Sequence, residues 1–440
     1  MSPEAPAEAG TGGRRRRATR GRADRLRMLS VVLAFCVPMA IFAAAAGAYS
    51  HITPLGQAPD EAAHAAYLAL IAHALQLPGP GTPERQQPPL YYLLGAGVFK
   101  LTGGDLDAVR DLSVGLGVLA VLFTILAARV LWPRQPWLWC VAGLLMAALP
   151  QFQFISGSVS DDAIADLSAA FCTYLLVRVL RTPATIRLQV LVGIAIGVAI
   201  LSKETDYVLM LLVALAALGR WWGLGHRWRT VARVAVPALL VSGWWLGRNM
   251  VVFGRPLPHF HALDNNLATI PKLNQMSQVG GWLALSFHSF IGVFGNLSSP
   301  LLVAGHSRLV FRALEALAAV LAVAILLVVK RRWPGWDART RWLAVGLTLI
   351  PLLSFAQMVA NSVLVDYQAQ GRYLIVALPA LALGLAFLAR RLAGGASPPV
   401  VGAVTVLAIA AITVLDVSGI QTVAFHLLNT PIVPGHEVIT

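Results

Sequence analysis

The chain has 440 residues, 57% of them hydrophobic and only 12% charged, with a mean hydropathy of +0.70 and a formal charge of +14. Soluble domains carry about 25% charged residues, so the composition excludes one and indicates an integral membrane protein. The positive charge is not a nucleic-acid surface, because the arginines fall in short gaps between apolar runs, as cytoplasmic loops require.

In chain order, residues 1–27 are rich in Ala, Gly, Pro and Arg, with Arg14-Arg15-Arg16-Arg17 at their centre. They predict a disordered basic cytoplasmic tail, drawn to anionic lipid. The apolar run at 28–49 exceeds a signal-peptide core of roughly 7–15 residues. Although Ala43-Ala44-Ala45-Ala46 offers small residues for cleavage, the run reads as a first transmembrane helix with a cytoplasmic N-terminus.

Further spans are predicted at 112–132, 137–155, 163–180, 187–202, 205–221, 231–251, 309–330, 342–364, 372–391 and 398–418, giving about eleven. Alternation then places Arg134, Arg181, Arg187, Arg220, Arg227, Arg229, Lys330–Arg332, Arg339, Arg341, Arg390 and Arg391 in inner loops. Every inner loop is basic, so the count and the orientation support each other. The expected organisation is a transmembrane domain over 28–420 with outer loops at 50–111 and 252–308 and a short outer tail at 421–440. Juxtamembrane helices are expected in the first loop, and 282–303 is a candidate further membrane segment. Cys36, Cys140 and Cys172 all fall in apolar runs and form neither a disulfide framework nor a zinc site.

On this topology the polar residues emerge on the outer side. The first loop carries Gln57-Ala58-Pro59-Asp60-Glu61-Ala62-Ala63-His64. Pro59 suits the first position of a helix, which would put Asp60 and Glu61 at the positive end of its dipole. Asp60, His64 and Tyr67 would then share a face. Glu84-Arg85-Gln86-Gln87-Pro88-Pro89-Leu90-Tyr91-Tyr92 follows. Other span ends bring Ser160-Asp161-Asp162, Ser202-Lys203-Glu204, Arg248-Asn249 with Phe253-Gly254, and Gln370-Gly371-Arg372-Tyr373. Ionisable groups beside hydrocarbon cost several kcal/mol unless paired or solvated, so their convergence predicts a shared polar cavity. Each also has a plainer reading: Lys203 and Arg248 as snorkelling anchors, Asp161-Asp162 as a helix cap, and Tyr91-Tyr92 as aromatic-belt residues.

Pro59-Asp60-Glu61-x-x-His64 after a first helix is similar to the opening loop of the polytopic GT-C glycosyltransferases, of the protein mannosyltransferase or aminoarabinose transferase type. The chain most resembles a bacterial branch with that Pro-Asp-Glu-x-x-His loop. Gln87-Pro88-Pro89-Leu90-Tyr91-Tyr92 and the later motifs follow in the order expected over residues 28–393. The large C-terminal soluble domain of several such enzymes is absent from this sequence. The resemblance implies a hexosyl- or pentosyltransferase moving a sugar from a polyprenyl-phosphate donor to a hydroxyl of an envelope polysaccharide, lipid or protein, at the outer face of the cell membrane. No nucleic acid is involved.

Asp60 is then the expected general base, with Glu61 and His64 close enough to tune or assist it, and Asp161 or Asp162 is the next choice, either orienting the acceptor or sharing a divalent cation with the first loop. Lys203, Arg248 and Arg372 are the expected donor-phosphate ligands, with His64, Gln87, Tyr91, Asn249, Gln370 and Tyr373 as further substrate contacts. A metal ion is left open. The main alternative is a transporter or lipid flippase using Asp166 as a mid-span acid, and a third reading is a non-catalytic scaffold.

Overall fold

The computed structural model describes residues 11–80, 84–221, 227–257, 272–303, 305–394 and 398–427. The first part of the chain forms α1 (Thr11–Ile52), α2 (Glu61–Ala74), α3 (Leu90–Leu101), α4 (Leu106–Leu131), α5 (Pro136–Ala147), α6 (Pro150–Ser156) and α7 (Asp162–Arg181). Next come α8 (Ile186–Ser202), α9 (Tyr207–Trp221), α10 (Arg227–Phe253) and α11 (Met276–Gly292). The last four are α12 (Arg308–Arg332), α13 (Ala338–Leu364), α14 (Leu378–Ala393) and α15 (Pro398–His426). A two-residue antiparallel hairpin, β1 (Val293–Phe294) with β2 (Ser299–Pro300), follows α11.

Among the described residues seven helical segments are long and apolar enough to cross a membrane, or eight if α5 and α6 form one span bent by 69°. Pro150 causes that break, since proline lacks the N–H its helix would need and disfavours helical backbone before it. Each of the eleven predicted spans overlies a helix. However, α8 and α9 have only 17 and 15 residues, short of the roughly 20 that span a hydrocarbon core.

The core lies where α1, α4, α5, α7, α8, α9 and α14 meet. α7 is its centre, with 78% of its most apolar stretch buried, whereas none of that of α12 is. A helix apolar on all sides must be buried in protein or in lipid, and these two take the two options. Gly193 and Gly197 let α8 and α10 meet backbone to backbone: a Cβ on Gly193 would strike the Val234 carbonyl.

The basic loops gather at one end of the bundle, where Arg390 donates to the Gln135 side chain at 3.0 Å and Asp337 lies near Arg181. α7, about 30 Å long by its rise, carries Arg181 at that end and Asp162 at the other.

Three expectations are corrected. The basic segment taken as disordered is helical from Thr11, because Arg and Ala favour helix and the apolar span propagates it upstream. The outer tail expected from 421 starts as helix, since α15 continues to His426 and buries Val423 and Leu427 beside Tyr49 and Phe294. The segment at 282–303, offered as one re-entrant or interfacial helix, is helical only as far as Gly292, where α11 ends, and continues as the hairpin.

Candidate active site

The first loop is fixed by an ion pair under it. Glu61 accepts from Arg110 Nε at 2.8 Å and Nη2 at 2.8 Å, and from the backbone N–H of Gly56 and of Val159 at 2.8 and 3.0 Å. Arg110 also donates to the carbonyls of Ser50 and Thr53, both at 2.8 Å. One buried pair thus ties the end of α1, the start of α2, α4 and the entry to α7. The carboxylate of Glu61 is fully occupied, so the structure gives it a bracing place rather than the catalytic one expected.

The expected helix start is also corrected. Pro59 is outside α2, and Asp60 is its N-cap residue with a left-handed backbone (φ 59°). Asp is among the few non-glycine residues that tolerate that conformation. The turn lifts the Asp60 side chain half out of the protein while His64 and Tyr67 go inward.

Asp60 Oδ2 accepts from Arg372 Nη2 at 2.6 Å. The other guanidinium arm of Arg372 reaches Asp162 at 3.5 Å. Asp162 and Asp161 in turn clasp Lys203 Nζ at 2.6 and 2.5 Å. Three carboxylates and two cations from four separate segments therefore form one network, almost wholly buried except at Asp60. Partial burial alone would raise the Asp60 pKa, but the charges of Arg372, His64 and Lys203 outweigh it and hold the carboxyl below its ordinary value. Burial would lower the Lys203 pKa, yet Asp161 and Asp162 raise it, so the ammonium stays charged.

Asp60, His64, Gln87, Lys203, Arg372 and Tyr373 line a cavity of about 730 Å³, joined by Glu84, Gln86, Gln357, Asn361, Asp366 and Gln368. The amide-rich wall offers paired donors and acceptors, the inventory suited to a polyhydroxylated ligand. Four expected contacts lie elsewhere. Tyr91 is fully buried and spends its hydroxyl on Ser113 and the Ser160 N–H. Arg248 donates to the Pro78 carbonyl and stacks on Trp245 and Phe253. Asn249 is buried and bonds Pro256, and Gln370 bonds Gln368. Asp166 is buried one turn beyond Asp162 on α7, near the site end of that helix.

The place of Arg372 depends on α11, which sequence reasoning did not connect to the site. Gly371 donates its N–H to Ser289 Oγ at 2.7 Å, and Ser289 donates to the Ala369 carbonyl at 3.1 Å. A Cβ on Gly371 would collide with the backbone of Phe290 and Ser286. Trp282 donates to the Gln368 carbonyl from the same helix.

The carboxylates do not fit a divalent-cation ligand set. Asp161 and Asp162 are committed to Lys203 and Asp60 to Arg372, and among the described residues no three His, Cys, Asp or Glu groups are arranged to hold a metal.

Residues 86–254 match the family described as dolichyl-phosphate-mannose-protein mannosyltransferase. No curated protein sequence matches the chain. Its fold is similar to that of ArnT from Cupriavidus metallidurans bound to undecaprenyl phosphate, with a TM-score of 0.54 at 17% identity over 82% of this chain and 60% of that one. The apo form of the same protein gives 0.56 at 17% identity, over 84% and 61%. The chain thus spans about 60% of the length of the solved structures it resembles. Both comparisons agree with the GT-C resemblance carried by the first-loop motif.

Proposed function

We propose that this multi-pass membrane protein is a GT-C-type glycosyltransferase that moves a sugar from a polyprenyl-phosphate carrier to an acceptor hydroxyl. The observation that carries the reading is the convergence of Asp60, Lys203 and Arg372 on one polar cavity, with Asp161 and Asp162 paired to Lys203 behind its wall, at the end of the bundle away from the basic loops. By the positive-inside rule that end faces outward, so transfer takes place on the outer side of the membrane. The mannosyltransferase-family match and the likeness to ArnT support the sugar-phosphate donor class.

Asp60 acts as general base. Arg372 holds one of its oxygens and keeps it ionised, while Oδ1 has no protein hydrogen bond among the described residues and can meet the acceptor O–H. As the acceptor oxygen bonds the anomeric carbon, the bond from that carbon to the phosphate oxygen breaks and its electron pair leaves with the phosphate. Electrostatic stabilisation of that leaving group is the second requirement, and Lys203 and Arg372 line the cavity that would receive it.

Purified protein in lipid nanodiscs, given a panel of polyprenyl-phosphate sugars with cell-envelope extract, is expected to incorporate sugar and release free polyprenyl phosphate only when acceptor is present. Solute uptake into sealed proteoliposomes that depends on Asp166, without any transfer product, would contradict the proposal and favour transport.

A further inference from the structure

His64 is 2% exposed yet borders the cavity. Its Nδ1 is 2.7 Å from the hydroxyl of Tyr92 on α3. Its Nε2 is 3.8 Å from Asp161 Oδ1, too long for a hydrogen bond, and has no other partner among the described residues. Tyr92 is fully buried and its ring is stacked on Tyr67 at 3.7 Å, so the bond to Nδ1 fixes the plane of the imidazole. Burial also raises the Tyr92 pKa, which keeps the phenol neutral and able to accept from Nδ1–H.

The charges around His64 leave carboxylate in excess, with Arg248 on the far side of Tyr67 turned to the Pro78 carbonyl. Asp60 precedes it and Glu61 lies beside it on α2, but Glu61 is neutralised by Arg110. Asp161 and Asp162 face it from α7, with Lys203 behind them at the end of α8 and Arg372 on the segment before α14. Glu84 lies beyond Tyr92. The three carboxylates Asp60, Asp161 and Asp162 exceed the two cations Lys203 and Arg372 by one negative charge. An anionic phosphate entering this cavity meets cations that are already paired.

Building on the proposed donor class, we infer that His64, held by Tyr92, binds the donor phosphate in its protonated form and supplies the positive charge that Lys203 and Arg372 cannot spare. Both ring nitrogens are donors in imidazolium: Nδ1–H serves Tyr92 and Nε2–H points to the phosphate. Tyr92 is a positioning residue that acts through the ring.

The test is binding of a short-chain polyprenyl methyl phosphodiester, whose phosphate remains a monoanion throughout, to detergent-solubilised full-length protein at pH 5.5 and pH 8. The variants are His64→Asn, whose amide can keep the Tyr92 bond, together with His64→Gln and Tyr92→Phe. Wild type should bind at least about tenfold more tightly at pH 5.5 than at pH 8, since one opposite charge at 4–6 Å is worth at least one pKa unit. His64→Asn and His64→Gln should lose that difference at unchanged unfolding temperature, and Tyr92→Phe should shift its midpoint. Equal pH dependence in wild type and in a folded His64 variant would overturn the role of His64 and leave the donor class standing. No binding by folded wild type at either pH would overturn the donor class, and the role of His64 with it.

Discussion

At the scale of single residues, Asp60 and Glu61 are neighbours in sequence and opposites in structure. Glu61 has every oxygen engaged by Arg110 and backbone N–H groups, whereas Asp60 gives one oxygen to Arg372 and leaves the other to the cavity. Glu61→Gln should therefore cost about 3–5 kcal/mol of stability, because it leaves the Arg110 guanidinium buried without its counter-charge. Thermal unfolding in detergent would show it, with Asp60→Asn unfolding near wild type. Asp60 also sets a sign for pH. Its carboxyl is held below the ordinary value, so its ionised form and its bond to Arg372 persist above that value and are lost only as pH falls through the lowered one. The acid limb due to Asp60 should lie below the ordinary carboxylate range, and Arg372→Gln should move it upward in a pH–rate profile. The pairing of Glu61 with Arg110 was not legible in the sequence, because 49 residues separate them and Arg110 looks like any charge at a loop end.

At the scale of elements, the site is held by one helix the sequence marked only vaguely. α11 overlaps the 282–303 segment read only as a candidate further membrane segment, and its role lies in two contacts to backbone groups, Ser289 with Gly371 and Trp282 with Gln368. Serine and glycine in an apolar setting give no charge or periodicity by which to recognise such a contact. Gly371→Ala should displace the Arg372 segment and destabilise the fold by about 1–3 kcal/mol through overpacking. Transfer should fall further than stability alone accounts for, which parallel unfolding and rate measurements would separate. By contrast, the clustering of Asp161, Asp162, Lys203 and Arg372 was legible in the sequence. Charges at the ends of apolar spans have few physical excuses, and mutual pairing is the commonest one. Arg248 satisfied the same rule and went elsewhere, stacking on Trp245 and reaching the Pro78 carbonyl. Position at a span end therefore selects candidates without choosing among them.

For the whole molecule, hydropathy and arginine placement made the polytopic fold readable, since bilayer thickness and the cost of bare backbone polar groups leave few alternatives. The short α8 and α9 were less readable, because they depend on packing around α7, whereas the bend between α5 and α6 follows Pro150. The basic end and the cavity end of the bundle carry a prediction of their own. A cysteine introduced at Gly335 should react with an impermeant thiol reagent only from the cytoplasmic side, and one at Asp105 only from the outer side. Labelling at Gly335 only from the outer side and at Asp105 only from the cytoplasmic side would reverse the orientation argued from charge.

The most direct test of the account is a single-turnover measurement of sugar transfer by wild type and Asp60→Asn, with donor binding measured on the same preparations. Asparagine tolerates the left-handed backbone at this position, so the variant should fold. Loss of general-base catalysis predicts a transfer rate lower by about 10²–10⁴-fold with donor affinity little changed. Transfer by Asp60→Asn at the wild-type rate would contradict the central claim and move the chemistry away from the first loop.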